Sequence, residues 1–320
     1  MSPALVPERW PDLPYAAWKP TYETLHLWTQ IVGKIRLARE PWLNHSWHVP
    51  LYVTARGLTT SPMPAGNRAF QIDFDFVDHL LWVKTSDDHS RQVMLAPKSV
   101  AEFYGEVMAT LAELGLDTPI NPLPSEIAGG VPFGRDSLHA SYDRDLANRF
   151  WRILLATHGV LSRFRTGFLG KVSPVHFFWG GFDLAVTRFS GRRAPLHPGG
   201  IPRLSDTVTR EAYSHEVSSA GFWPGGGPID YPAFYSYAYP APDGFASAPV
   251  QPRQAADQPR MDRAGELHAR PYEAVRTAAD PEATLMAFLQ STYDAAAALG
   301  KWDRDALECP VGAPSRPRPL

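Results

Sequence analysis

The hydrophobic period of this chain changes from helical to strand-like and back to helical, and it does so twice. After Pro20, the residues Leu25, Trp28, Val32 and Ile35 recur at helical spacing, and the pattern ends before Pro41. From Trp47 to Ala96 the period is two. His48–Arg56 reads as one strand, closed by the Pro and Gly cluster at 62–66. Phe70, Ile72, Phe74 and Phe76 alternate with Gln71, Asp73 and Asp75, the pattern of a half-buried strand. Leu80–Lys84 and Gln92–Leu95 flank a turn at 86–90 and predict a hairpin. Ser99 then starts a helix that Gly115 stops.

The second half runs in the same order. A helix is expected over about 142–165, strands over about 174–189, 210–222 and 231–240 with a short one near 265–270, and a last helix before Gly300. Leu51-Tyr-Val-Thr54 shares letters with Leu184-Ala-Val-Thr187. The fold expected is therefore α+β: two similar antiparallel-sheet halves, each helix–strands–helix, related by an internal pseudo-duplication. The expected divisions are an N-terminal strap (1–19), a first half (20–115), a Pro/Gly-rich connection (116–141), a second half (142–308) and a disordered tail (309–320). The halves would form one unit with a site between them. The segment 241–264, rich in Ala, Pro, Gln and Asp, reads as a lid or a linker.

Charge and cysteine usage narrow the function classes. Lys and Arg total 31 against 33 Asp and Glu, a net charge of −2, which gives no electrostatic reason to expect nucleic acid or an anionic membrane as partner. The lone Cys309 permits neither an internal disulfide nor a cysteine zinc site, and it reads as a bystander thiol. No stretch approaches the roughly 18 apolar residues of a membrane span. The first residues lack the basic lead and apolar core of a secretory leader, so the cytoplasm is the expected location.

Candidate chemistry rests on the 11 histidines, several of them beside Trp, Gly or Pro. His45 and His48 stand three apart at a bend, a spacing at which imidazoles can converge on a metal. His176 lies in Ser173-Pro-Val-His-Phe-Phe-Trp179; in one extended strand it would face away from Trp179 and Asp183. Gly180 and Gly181 there mark a bulge or a close approach. His215 and Glu216 are adjacent, so a regular strand sends them to opposite faces, while the small run Ser218–Gly221 leaves space above the sheet. Gly225-Gly226-Gly227 is a turn able to cover a pocket. Arg188, Arg192, Arg193 and His197 form a basic loop suited to a carboxylate or phosphate. Asp73 and Asp75 share a polar face but read as wet-side carboxylates. No phosphate loop, dinucleotide fingerprint, serine elbow or zinc-protease motif is present.

Four stretches together resemble a bacterial family of unknown function: Trp10-Pro-Asp-Leu-Pro-Tyr15, Trp42-Leu-Asn-His-Ser-Trp-His48, Ser173-Pro-Val-His-Phe-Phe-Trp179 and Ser214-His-Glu-Val-Ser-Ser-Ala-Gly-Phe-Trp-Pro-Gly-Gly-Gly227. The resemblance runs from about residue 10 to 308. It implies one full-length unit and carries over no reaction, cofactor or catalytic residue.

The leading expectation is a small-molecule enzyme, an oxidoreductase or a hydrolase or lyase. His45, His48, His176 and His215 would hold Fe, Zn or Mn, and His176, His215 and Glu216 would act on substrate. Trp47, Trp179, Trp223, Arg188 and Arg192 would contact that substrate. Two alternatives stand beside it: a non-covalent haem enzyme with a histidine as axial ligand, and a metal-free protein that binds a small aromatic or acidic ligand between tryptophan walls.

Overall fold

A computed structural model describes residues 8–318 except 228, 253–257 and 263–264, and describes 258–262 and 265–266 by their backbone alone. Two antiparallel six-stranded sheets are flanked by helices, the α+β class that the two period changes predict. Helix α1 (Tyr15–Arg39) begins five residues ahead of its expected start, with Pro20 inside it. The backbone hydrogen bond that Pro20 cannot donate is offset by burial of Trp18, Leu25, Trp28, Ile31 and Ile35, each fully enclosed.

The first sheet holds β1 (Tyr52–Val53), β2 (Gly57–Thr59), β3 (Met63–Ala65), β4 (Arg68–Asp75), β5 (Leu80–Thr85) and β6 (Ser90–Met94). Its order is β1-β2-β4-β5-β6, with β3 also paired to β4. On β4, Phe70, Ile72 and Phe74 are buried while the residues between them stay partly open, as the alternation requires. Most of the strand expected over 48–56 is loop, and β1 keeps two residues of it. Helix α2 (Val100–Glu113) starts in a capping box between Ser99 and Glu102. It ends before Gly115, whose φ is +63°.

Helix α3 (Arg144–Arg165) opens the second half. The strand expected over 174–189 is two strands, β7 (His176–Phe178) and β8 (Asp183–Arg193), because Gly180, Gly181 and Phe182 at φ +57° fold the chain back on itself. The segment expected as a strand over 210–222 divides into α4 (Asp206–Ala212) and β9 (His215–Trp223). Ser205 caps α4. Then follow β10 (Ala233–Tyr239), β11 (Gln258–Asp262), β12 (Gly265–Pro271), α5 (Tyr272–Arg276), α6 (Pro281–Leu299) and α7 (Arg304–Leu307). Pairing runs β11-β12-β10-β9-β8-β7. Within 241–264, β11 is the one strand among the described residues.

The two sheets meet edge to edge. Leu51 and Phe177 exchange both backbone hydrogen bonds at 2.9 Å, so the chain that follows α1 pairs antiparallel with the chain that follows α3. That pairing fits a duplication, although Leu51–Thr54 and Leu184–Thr187 do not occupy corresponding strands: the first leads into β1, the second lies in β8. One core spans both halves. Trp18 stacks on Phe150 at 5.0 Å, Phe150 on Phe182 at 5.2 Å, and Trp28 on Phe103 at 4.4 Å. The strap packs Trp10 against Phe234 and Tyr272. Residues 309–318, expected as a disordered tail, run against the end of α3, where Gly312 donates to Thr166 at 2.9 Å. No helix among the described residues is long and apolar enough to cross a membrane.

Candidate functional site

Strand β8 sends its residues alternately to two environments. Leu184, Val186 and Arg188 face the helices, whereas Asp183, Ala185, Thr187 and Phe189 face a cleft of about 290 Å³. From β9 the same face presents Val217 and Ser219, and from β10 Tyr235 and Tyr237. Small side chains at the centre leave the room that the run 218–221 predicts. The short 3-10 turn at 44–46 covers the cleft from one side and α4 from the other, and these two elements contact each other. Trp47, Phe178, Trp179, Phe189 and Tyr213 give the wall large aromatic faces.

At one end of this cleft two carboxyls stand beside a glycine pair. Asp183 begins β8 and accepts a short hydrogen bond from the Tyr235 hydroxyl. Glu126 comes from the long connection, at φ +62°. Gly180 and Gly181 permit the arrangement by lacking side chains. A Cβ on Gly180 would collide with the Glu126 carboxylate, and one on Gly181 would sit 2.8 Å from Asp183 Oδ1. Glu126 is open to the cavities on either side of it, but protein crowds its carboxylate. This crowding, reinforced by the charge of Asp183 and opposed by Lys34, pushes its pKa from an ordinary 4.5 up to about 7. Burial lifts Asp183 to about 6 against the stabilising hydroxyl of Tyr235.

Helix α1 holds both segments in place with three side chains at four-residue spacing. His26 Nε2–H donates to the Gly180 carbonyl at 2.9 Å. The Gln30 amide donates to the Ser125 carbonyl at 2.9 Å and accepts from the Ser125 N–H at 2.7 Å. Lys34 donates to Ser125 Oγ at 2.9 Å and lies over Trp179. Burial lowers the pKa of His26 to about 4, so it is neutral, and it lowers Lys34 as well.

The residues expected from sequence are distributed differently. Trp47 and Trp179 line the cleft, Trp179 fixed by its indole N–H to the Val49 carbonyl at 2.9 Å. His45 also lines it, with Nδ1–H donated to the Ala212 carbonyl at 2.9 Å. Its ring lies 6.1 Å from that of His215. His48 is turned away and packs at a tilt against Trp42, with ring centroids 4.6 Å apart. His176 is fully buried behind Trp47, Tyr52 and Phe178, and burial drives its pKa down to about 3. Its expected orientation is corrected: β7 and β8 are separate strands with His176 opposite Ala185, so His176 and Asp183 share a face.

Glu216 leaves by the other face and pairs with Arg192, which also donates to the Lys301 carbonyl at 2.9 Å beyond the end of α6. Arg188 is buried among Phe164, Phe168 and Tyr293. His197 stacks on Tyr213 at 4.7 Å, so the basic loop does not converge on an anion. Trp223 and Gly227 border a second cavity, described below. The rest of the glycine turn packs on α1, Gly225 against Tyr15 and Gly226 against Tyr22.

Among the described residues no three His, Cys, Asp or Glu side chains gather as a metal-holding group. The unpartnered ring nitrogens of His45, His48 and His176 are closed off from the cleft. The described residues therefore bring to this cleft no group of three such side chains of the kind expected for a transition-metal centre.

Sequence reasoning passed over Glu126, Tyr235 and the His26-Gln30-Lys34 stripe. The stripe carried a signal, since three polar residues at four-residue intervals share one face of the helix. Comparison with curated proteins gives no match, and comparison with solved structures gives none either. A model of a family of unknown function, DUF5996, matches residues 10–309, nearly the whole chain, and the protein belongs to that family.

Proposed function

We propose that this protein is a small-molecule enzyme that moves a proton on a largely apolar substrate held in the aromatic cleft, with Glu126 as general acid and Asp183 as general base. The carrying observation is the placement of two carboxyls beside Gly180-Gly181 at the end of that cleft. Their environments separate their roles. Burial raises both, the charge of Asp183 raises Glu126 further and favours its protonated form, and the Tyr235 hydroxyl favours the ionised form of Asp183. Proton transfer between two positioned carboxyls suits an isomerase, lyase or hydrolase. The balanced charge and single cysteine support a cytoplasmic setting with no nucleic-acid partner.

The mainly apolar wall also favours a second reading, a metal-free binding protein for a small aromatic ligand. One experiment separates them. A panel of small aromatic and alicyclic compounds is incubated with the protein in D2O, binding is followed by tryptophan fluorescence, and conversion or deuterium uptake by NMR. An enzyme converts or deuterates a compound that it binds, and Glu126→Gln and Asp183→Asn lose that step while keeping the fluorescence change. Binding without conversion or deuterium uptake would select the second reading, and unchanged turnover in both variants would remove the carboxyls from the mechanism.

A further inference from the structure

The wall formed by Glu126, Gly180 and Gly181 has a second side. It also borders a larger cavity of about 820 Å³, enclosed by the start of α1, the 124–139 segment and the turn after β9. This second cavity is lined by different chemistry. Arg135 borders it, held in place because its own 3-10 turn is anchored by the fully buried Phe133. The Arg135 backbone N–H is bonded to the Pro132 carbonyl at 2.8 Å, while its guanidinium makes no hydrogen bond or ion pair with any described residue.

Two of the three acidic side chains that border it have partners. Asp136 accepts from the N–H groups of Leu138 and His139 and from His139 Nδ1–H at 2.7 Å. Glu23 lies 3.8 Å from Lys19. Glu126 belongs to the shared wall. An uncommitted guanidinium at the border of a cavity is a ready partner for a carboxylate or phosphate.

We infer that the two cavities are one composite site, in which the aromatic cleft takes the apolar end of the substrate, the second cavity takes an anionic end on Arg135, and the reacting centre lies between them at Glu126. This rests on the proposed function and extends it by naming the substrate class: an amphiphilic small molecule with an aromatic or aliphatic body and a terminal carboxylate or phosphate. The two glycines of the shared wall leave room for the carboxyls, because a Cβ on either would meet Glu126 or Asp183.

The test uses ω-phenylalkanoates of two to eight methylenes, their neutral amides and the matching phenylalkyl phosphates, with binding read by tryptophan fluorescence and by calorimetry. The wild type should bind one chain length of an anion about tenfold or more tightly than the neutral amide, the advantage of a charge-assisted contact. Arg135→Gln should remove that advantage and leave amide affinity unchanged, and Arg135→Lys should restore part of it. The ratio of carboxylate to phosphate affinity identifies the anion. Arg135 is exposed and unpartnered, so these variants should fold as the wild type does. Amides that bind as well as both anions, or an anion preference that survives in Arg135→Gln, would overturn the inference while leaving the aromatic cleft as a binding site. Failure of every compound, amides included, at millimolar concentration would overturn both readings.

Discussion

The two sheets are both antiparallel and six-stranded but use their outer faces differently. On the first, Gln71 and Lys84 both bond Asp73, and Lys84 lies over Trp82, so the face is closed by its own polar pairs. On the second, the corresponding layer holds Ala185, Thr187 and Ser219 beneath a roof. The connections explain the difference. In the first half β4 and β5 are joined by residues 76–79 alone, whereas in the second half residues 194–214 separate β8 from β9 and carry α4 back over the sheet. A tight hairpin leaves a sheet face to water; a long connection can enclose it and place chemistry there.

The sharpest break of this comparison is at the carboxyls. Glu126→Gln should lower turnover by a factor of about 10² to 10⁴, the usual contribution of a general acid, with circular dichroism like that of the wild type and, at pH 5, a thermal midpoint close to it. Asp73→Asn, on the face of the other sheet, should leave turnover unchanged. A comparable loss in both would mean that the second sheet is not the special one.

The next effect exchanges the roles. Leu81 is fully buried on the inner side of the first sheet, opposite Phe74. Leu81→Ala should cost about 2–5 kcal/mol in denaturant titrations, and the protein that remains folded should bind its cleft ligand as before. A matching fall in ligand affinity would show that the cleft depends on the first sheet for more than support.

How much of this was legible in the sequence depends on which interactions decide it. Alternation at 70–76 and helical spacing at 25–35 found β4 and the body of α1 because both report which face is buried, and local pattern encodes that. The split of 174–189 into β7 and β8 was half visible: Gly180-Gly181 marked an irregularity, but a return of the chain depends on Phe182 adopting positive φ among Tyr22, Phe150 and Phe177. Histidines drew notice as metal ligands, yet His45 and His176 are absorbed into aromatic packing. Glu126 was hidden because its meaning is non-local. A single glutamate in a Pro/Gly-rich connection becomes a site only where Gly180, 54 residues later, makes room for it.

Titration offers a subtler contrast. A carboxyl whose pKa is higher in the folded than in the unfolded chain binds its proton more tightly when folded. Its contribution to stability is therefore full at low pH and is lost as pH rises through the interval between the two values. For Glu126 that interval is from about 4.5 to about 7, and for Asp183 from about 3.8 to about 6. His26 and His176, lowered to about 4 and about 3, act in the opposite sense and gain stability up to about pH 6.5. Thermal midpoints of the wild type and Glu126→Gln between pH 5 and 8 isolate the first effect. The variant should gain on the wild type as pH rises, with little further change above pH 8, and a constant difference would place Glu126 in ordinary solvent.

The smallest effect lies on the first sheet itself. The Lys84–Asp73 pair spans 3.2 Å with the lysine half exposed. Such a pair gains little from its Coulomb attraction because water screens it and two side chains must be ordered to make it. Asp73→Asn should therefore shift unfolding free energy by no more than about 1 kcal/mol, and less in 1 M salt, where charges beyond about 3 Å are screened. Gln71 donates to the same carboxylate at 2.9–3.0 Å, and asparagine retains one oxygen to receive it. A loss several times larger would mean that the outer face of the first sheet is ordered by its polar network as strictly as the second is by its roof, and the contrast between the halves would then lie in the presence of a cavity alone.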